Sequence, residues 1–401
     1  VEAAVRATVE DHIARAGITS AEELRALGAE VFWLGTRQGL EAKVVPAAGI
    51  DMEWVSVSGL RGKGLLAWLL APGRLLWAVW QVLAVMLRRR PMVVLGMGGF
   101  VTGPGGVVTW LLRKPLVIHE QNAIAGLTNR LLAPLAQRVL EAFPGTFRSG
   151  RAVHVGNPVR RAISELPAPE ERFVERRGAL RLLILGGSLG ARALNEIVPA
   201  TLKEFAIADR VDSPSPSGRG WPVGPGEGTS PLPPFEIWHQ AGSRHIDEAR
   251  THYRDAGVVA RVEPFIDDMA AAYGWADLVV CRAGALTVAE LAAAGVGAVL
   301  VPYPHAVDDH QTHNAAYLTD AGAAVMVQQR ELTKDKLRDL LVSLGSSTAT
   351  SPLPGGEGGS EKRIGLFDRS RLLAMAQAAR RLAKPQAAAL VAEQCWEAAH
   401  G

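Results

Sequence analysis

The sequence predicts two doubly wound α/β domains facing a cleft, and three observations carry that reading. Ten short apolar runs alternate with helix-like stretches along the 401 residues. That is the pattern of parallel sheets covered by helices on both faces. Two of the runs lead straight into glycine-rich turns that open helices: residues 93–95 into Gly96-Met97-Gly98-Gly99, and residues 182–185 into Gly186-Gly187-Ser188-Leu189-Gly190. A proline-containing stretch at Gly156-Asn157-Pro158 divides the pattern into two similar halves. In such folds the carboxyl ends of the strands present their loops to a ligand.

In chain order the expected strands are 30–34, 91–95, 116–119, 138–142, 180–185, 236–240, 258–262, 278–281, 298–301 and 324–327, joined by right-handed crossovers. A strand, a turn without Cβ atoms and a following helix aim backbone N–H groups and the positive end of a helix dipole at one point, which suits a phosphate. The same glycines also serve tight packing where no ligand is present. Neither loop has the G-x-G-x-x-G spacing with a downstream acid, nor G-x-x-x-x-G-K-[ST], which disfavours a dinucleotide oxidoreductase and a P-loop kinase.

Composition bounds the partners. Hydrophobic residues make up 48% and charged residues 21%, so the chain is globular. A net charge of +3 gives no argument for nucleic acid. Cys281 and Cys395 have no metal-ligand spacing and fit a reducing compartment. The first residues carry no secretory signal and no initiator Met.

Two segments interrupt the alternation. Residues 213–234 carry Pro at 214, 216, 222, 225, 231, 233 and 234 among Gly and Ser, and 345–364 is similar; both contain Ser-Pro-Leu-Pro. They read as disordered surface insertions whose removal leaves folding intact. Residues 65–87 are strongly apolar, with Trp68, Trp77 and Trp80, and are bracketed by Arg61, Lys63 and Arg88-Arg89-Arg90. Pro72-Gly73-Arg74 divides this stretch into pieces too short to span a bilayer. Trp, Leu and basic flanks suit a helix lying in a membrane interface near anionic lipid; a buried core helix is the alternative.

A further strand–glycine–helix junction runs from residues 278–281 into Arg282-Ala283-Gly284-Ala285-Leu286-Thr287, with Glu290 beyond it. Its N–H groups suit a diphosphate, and a carboxylate at Glu290 accepts hydrogen bonds from vicinal ribose hydroxyls, unless it only complements the helix dipole. Gln311 lies in a polar loop at 308–314, and an amide reads sugar hydroxyls well. The spacing of His305, His310 and His313 fits no standard zinc site, so no metal and no cofactor are expected.

These residues together resemble the MurG family of bacterial peptidoglycan glycosyltransferases. The resemblance runs from about Ala21 to near the end, outside the two insertions. It rests on residues 95–106, His119-Glu120-Gln121-Asn122-Ala123-Ile124-Ala125-Gly126-Leu127-Thr128-Asn129, Val155-Gly156-Asn157-Pro158-Val159-Arg160, residues 186–192, Phe265-Ile266-Asp267-Asp268-Met269 and residues 281–290. It implies a GT-B fold: an acceptor- and membrane-binding domain at 1–157, a UDP-GlcNAc-binding domain at 158–384, and a closing helix at 385–401 that packs back on the first domain. It implies inverting transfer of N-acetylglucosamine from UDP-GlcNAc to lipid I, giving lipid II, at the cytoplasmic face of the bacterial membrane. Cell-wall synthesis proteins, cell shape and cell division belong to the same context.

For single residues, the resemblance implies donor contacts from Asn122, Arg160, Ser188, Ile266, Ala285, Leu286, Thr287, Glu290 and Gln311. Ile266 would meet the uracil through its backbone, Glu290 the ribose, and Ser188 with the 285–287 turn the diphosphate. On the acceptor side it implies Gly98, Gly99, Gly103, His119 and Glu120. The family also opens with a strand and a third glycine loop ending in a His that is the usual candidate for the general base. This chain departs there: residues 1–13 have no apolar strand and no glycine before His12. His12 stands one residue off the expected spacing, so it is either the base or a solvated residue of a helical amino terminus. Glu10 and Asp11 would repel an acceptor phosphate. A non-catalytic nucleotide-sugar-binding or scaffold protein is therefore the second reading.

Overall fold

The computed structural model describes residues 2–39, 41–57, 71–148, 150–187, 191–211, 235–304, 306–345 and 369–401. Ser188, His305, Trp68, residues 213–234 and all of 345–364 beyond Gly345 lie outside them.

The first half opens on a helix, α1 (Glu2–Ala26), where the sequence shows no strand pattern. It continues with β1 (Phe32–Gly35), α2 (Glu41–Ala47), β2 (Asp51–Trp54), α3 (Ala71–Arg89), β3 (Val94–Gly96), α4 (Gly99–Leu111), β4 (Leu116–Glu120), α5 (Leu127–Leu132), β5 (Arg138–Glu141) and β6 (Ala152–His154). Its strands form two parallel sheets, β1-β2 and β3-β4-β5-β6. Strands β2 and β6 are additions to the sequence reading. Each is short and half-polar, and β2 starts with an exposed Asp51, so neither shows as an apolar run.

The second half contains α6 (Arg161–Ser164), α7 (Pro169–Val174), β7 (Leu180–Leu185), α8 (Arg192–Val211), β8 (Phe235–Gln240), α9 (Ile246–Ala256), β9 (Arg261–Glu263), α10 (Met269–Trp275), β10 (Leu278–Cys281), α11 (Ala285–Ala294), β11 (Gly297–Leu300), α12 (His310–Thr319), β12 (Ala324–Met326), α13 (Lys334–Gly345) and α14 (Ser370–Arg381). One parallel sheet of order β12-β11-β10-β7-β8-β9 runs through it. The central strands β7, β10 and β11 are buried except at Arg181. Successive side chains of a strand point to opposite faces. Leu183, Leu185, Val279 and Cys281 accordingly join one apolar cluster, and Leu182, Ile184 and Val280 the other. Beneath the sheet Asp277 is fully buried, with Arg176 on one oxygen and Arg369 Nε 3.1 Å from the other.

The last helix, α15 (Ala387–His400), returns to the first half. Val391 and Cys395 pack on Val117, Leu140 and Val155, and Arg138 reaches Gln394 Oε1 (2.8 Å) and Glu397 (3.0 Å).

The apolar stretch at 65–87 is described from Ala71 onward. Pro72-Gly73-Arg74 form the first turn of the 19-residue α3, and the part of the stretch before Ala71 lies outside the described residues. Proline is tolerated there, since the first-turn N–H has no intrahelical acceptor. No helix among the described residues is long and apolar enough to cross a membrane.

Candidate active site

The donor-side residues converge at the amino end of α11. Fully buried β10 delivers the chain through Arg282-Ala283 to Gly284, an extended N-cap residue with no side chain on the first-turn N–H groups. Those of Ala285, Leu286 and Thr287 therefore sit at the positive end of an uncapped helix. Farther along, the largely buried Glu290 accepts hydrogen bonds from Tyr273 Oη (3.1 Å) and Arg160 Nη2 (3.2 Å). Burial and the Glu290 carboxylate push the Tyr273 phenol well above its ordinary pKa, so it stays a donor. Arg160, expected beside the nucleotide, is thus brought onto Glu290, the expected ribose ligand.

Two asparagines missed by sequence reasoning hold the two halves together. Asn314 on α12 accepts from Ala123 N (2.8 Å) through Oδ1 and donates through Nδ2 to Ala283 O (3.2 Å) and Asn122 Oδ1 (3.3 Å). Asn157 Nδ2 donates to Gln121 O (2.9 Å) and Ala285 O (3.4 Å). Arg160 Nε and Asn157 Oδ1 are buried without a partner among the described residues. Orphaned polar atoms beside an uncapped helix mark a surface that gains from a polar ligand.

The other donor-side candidates fall around this junction. Ile266 is buried and its N–H donates to Gln240 Oε1 (3.1 Å). Gln311 is buried near the start of α12 and its Oε1 accepts from Tyr303 N (2.9 Å). Asn122 donates to Glu120 Oε1 through N (3.0 Å) and Nδ2 (3.2 Å). Ser188 lies outside the described residues. Asp308 and Asp309, just before Gln311, have φ of 53° and 51°, so the polar loop holds two non-glycine residues in left-handed backbone.

On the acceptor side, Gly98 and Gly99 open α4 with φ of 87° and 79°, conformations a side chain would resist, and no side chain caps the helix. Gly103 lies one turn in, where an added Cβ would only brush Thr128. His119 and Glu120, expected on the acceptor side, both turn inward. The His119 ring is fully buried: its Nε2–H donates to Gly156 O (2.9 Å) and its Nδ1 accepts from Gln121 Nε2 (3.0 Å). Burial pushes its pKa down to about 4, so the ring is neutral. The Glu120 carboxylate collects Asn122, Gly126 N (3.0 Å) and Asn129 Nδ2 (2.9 Å). Both side chains are engaged in hydrogen bonds that shape the 120–129 loop and its junction with Gly156. His12 lies on α1, and its side chain is outside what the structure describes. Among the described residues no cluster of His, Cys, Asp and Glu is arranged for a metal.

The apolar stretch contributes a surface. Leu75, Leu76, Trp77 and Trp80 of α3 are exposed, and the Trp77 and Trp80 rings stack at 5.1 Å. Trp110 and Leu111 on α4 and Leu127 and Leu131 on α5 add further exposed apolar groups. Two of the three flanking arginines are already paired, Arg88 to Glu53 (2.5 Å) and Arg89 to Glu53 (2.7 Å) and Asp51 (3.5 Å), and contribute less bare charge than the sequence suggests.

Comparison with known proteins gives this geometry a family. Residues 16–141 match the glycosyltransferase family 28 N-terminal domain, and residues 181–351 match the C-terminal domain. A curated UDP-N-acetylglucosamine–N-acetylmuramyl-(pentapeptide) pyrophosphoryl-undecaprenol N-acetylglucosamine transferase of Nitrosococcus oceani is 52% identical over 382 residues, covering 95% of this chain and 94% of that one. A namesake from Alkalilimnicola ehrlichii is 50% identical, covering 94% of each chain. The crystal structure of Acinetobacter baumannii MurG superposes with a TM-score of 0.73 at 35% identity over 96% of both chains. A UDP-GlcNAc 2-epimerase from Neisseria meningitidis shares the fold alone, with a TM-score of 0.60 at 11% identity over 96% of each chain. With the GT-B architecture and the relatives in agreement, the chain belongs to the MurG-type N-acetylglucosamine transferases of glycosyltransferase family 28.

Proposed function

We propose that the chain transfers N-acetylglucosamine from UDP-GlcNAc to lipid I with inversion at the anomeric carbon, forming lipid II. One observation carries the donor assignment: Glu290, fixed by Tyr273 and Arg160, stands on the same helix whose uncapped first turn can receive a diphosphate. In this reading Glu290 accepts from the ribose hydroxyls, the 285–287 turn and Ser188 hold the diphosphate, and the Ile266 backbone meets the base. Asn122 and Gln311 meet the sugar. An acceptor hydroxyl attacks the anomeric carbon as the bond to UDP breaks. The charge developing on UDP is stabilised by N–H groups oriented before the reaction begins. The hydroxyl proton passes to a general base, for which His12 on α1 is the candidate. Gly98, Gly99 and Gly103 receive the acceptor diphosphate at the start of α4.

We further propose peripheral attachment to the cytoplasmic face of the membrane through the exposed face of α3, α4 and α5. Exposed Trp and Leu on adjacent helices support it, since interfacial binding scales with the apolar area it buries. The second reading is donor binding without transfer. Incubation with labelled UDP-GlcNAc and lipid I separates the two readings. Labelled lipid II is expected; saturable donor binding with no labelled lipid would overturn transfer and leave the binding protein.

A further inference from the structure

The carboxamide of Asn314 has both its ends identified by backbone neighbours. Its Oδ1 stands 2.8 Å from Ala123 N, which can only donate, and its Nδ2 stands 3.2 Å from Ala283 O, which can only accept. The side chain is fully buried, so turning it over would set donor against donor and acceptor against acceptor with no water to compensate. One Nδ2 proton is left, and it meets Asn122 Oδ1 at 3.3 Å.

Asn122 is thereby fixed in its turn. With Oδ1 held by Asn314, its Nδ2 faces Glu120 Oε1 (3.2 Å), part of a carboxylate that also accepts from Gly126 N and Asn129 Nδ2. Its backbone is tied down as well, through N on Glu120 Oε1 (3.0 Å) and through O on Thr146 Oγ1 (3.2 Å). One N–H and one lone pair of the Asn122 amide remain uncommitted, and unlike Asn314 this residue is only half-buried.

The helix that carries Asn314 is itself held against the first half. One turn beyond Asn314 on α12, the Tyr317 ring meets Phe143 edge-on at 5.1 Å and its Oη donates to Leu382 O (3.1 Å). One turn before it stands Gln311, so residues at three-residue steps share one side of α12. Joining the halves needs only the bond from Asn314 to Ala123. The bond to Asn122 does something else: it sets the direction of an amide.

We infer that Asn314 is a positioning residue for the donor sugar, fixing which end of the Asn122 carboxamide faces which way. Asn122 then meets the sugar with one preset donor and one preset acceptor, and no ordering of a freely turning amide is needed on binding. The inference rests on the proposed contact between Asn122 and the sugar of UDP-GlcNAc.

Calorimetry on the full chain tests it, with UDP-GlcNAc and with UDP, which lacks the sugar, for Asn122→Ala, Asn314→Ala and the double variant. Asn314→Ser, which keeps a hydroxyl able to accept from a backbone N–H, is measured in parallel. The comparison uses whichever Asn314 variant retains the wild-type unfolding transition. Each single substitution should weaken UDP-GlcNAc about three- to tenfold and leave UDP within about twofold, as for one hydrogen bond lost to the sugar. Because Asn314 acts through Asn122, the double variant should match Asn122→Ala alone within about twofold. Losses that multiply in the double variant overturn the inference. So do unchanged UDP-GlcNAc affinity in the Asn314 variant, an equal weakening of UDP, or loss of the wild-type transition in both Asn314 variants. If Asn122→Ala itself leaves UDP-GlcNAc affinity unchanged, the sugar contact at Asn122 falls, and this inference with it.

Discussion

The two halves of this molecule use one architecture with different strand pairing among the described residues. In the second half every strand of a six-stranded sheet is paired through its neighbours, and β10 and β11 are wholly buried. In the first half the sheet is divided into two strands and four, and the apolar residues Phe32, Trp33, Leu34, Val94 and Leu95 are only partly covered. The difference teaches where the function is most firmly built. A six-stranded sheet positions the β10–α11 junction and with it Glu290; the glycine turn at Gly98 follows β3, which pairs with β4.

Substitutions test that contrast in descending order of effect. Asp277→Ala leaves Arg176 and Arg369 without their shared buried partner, and breaking such a group costs about 3–5 kcal/mol. Urea unfolding should show the loss in the transition of the second half only; a shift of the first half's transition would show that the halves do not unfold separately.

Next come two buried histidines, one in each half. Burial pushes His119 down to about 4 and His239 down to about 3. Between those values and the ordinary 6.5, the unfolded chain binds a proton that the folded chain does not, so stability is present at neutral pH and is lost on acidification. Each should cost about 2 kcal/mol between pH 7 and pH 5. His119→Gln should flatten the pH dependence of the first half's urea midpoint and leave the second half's slope unchanged. An unaltered slope in both would mean that His119 is not held neutral.

Glu290→Ala should weaken UDP-GlcNAc by about 1–3 kcal/mol, as for a hydrogen bond to a charged group. Calorimetry at fixed ionic strength reads this directly, and unchanged affinity would remove Glu290 from the donor site. Tyr273→Phe should cost less, about 0.5–1.5 kcal/mol, because it deletes one hydrogen bond to a carboxylate that Arg160 still holds. If Tyr273→Phe proves as damaging as Glu290→Ala, the phenol contributes more than positioning.

The fold was legible wherever the sheet is closed. Strand β10 stands in the sequence as an unbroken apolar run, and β7 as one broken only by Arg181, because both their faces are covered, whereas β2 and β6 are short, partly polar and at sheet edges. At the site, the glycine turns and Glu290 are local signals. Asn314 is not, since it meets Ala123 across 191 residues and only tertiary structure makes the pair. The string from His119 to Asn122 showed that polar groups gather there, but not that His119 and Glu120 point inward. Likewise Arg88 and Arg89 read as a bare basic flank, and Glu53, a distant residue in the sequence, occupies them.

Hydrogen exchange with and without UDP-GlcNAc tests the contrast between the halves most directly. The account predicts slow exchange at 182–185 and 279–281, exchange at least about tenfold faster at 32–35 and 94–96, and new protection at 285–287 when UDP-GlcNAc is present. Equal protection of the four strand segments, or no change at 285–287 with saturating nucleotide sugar, would contradict it.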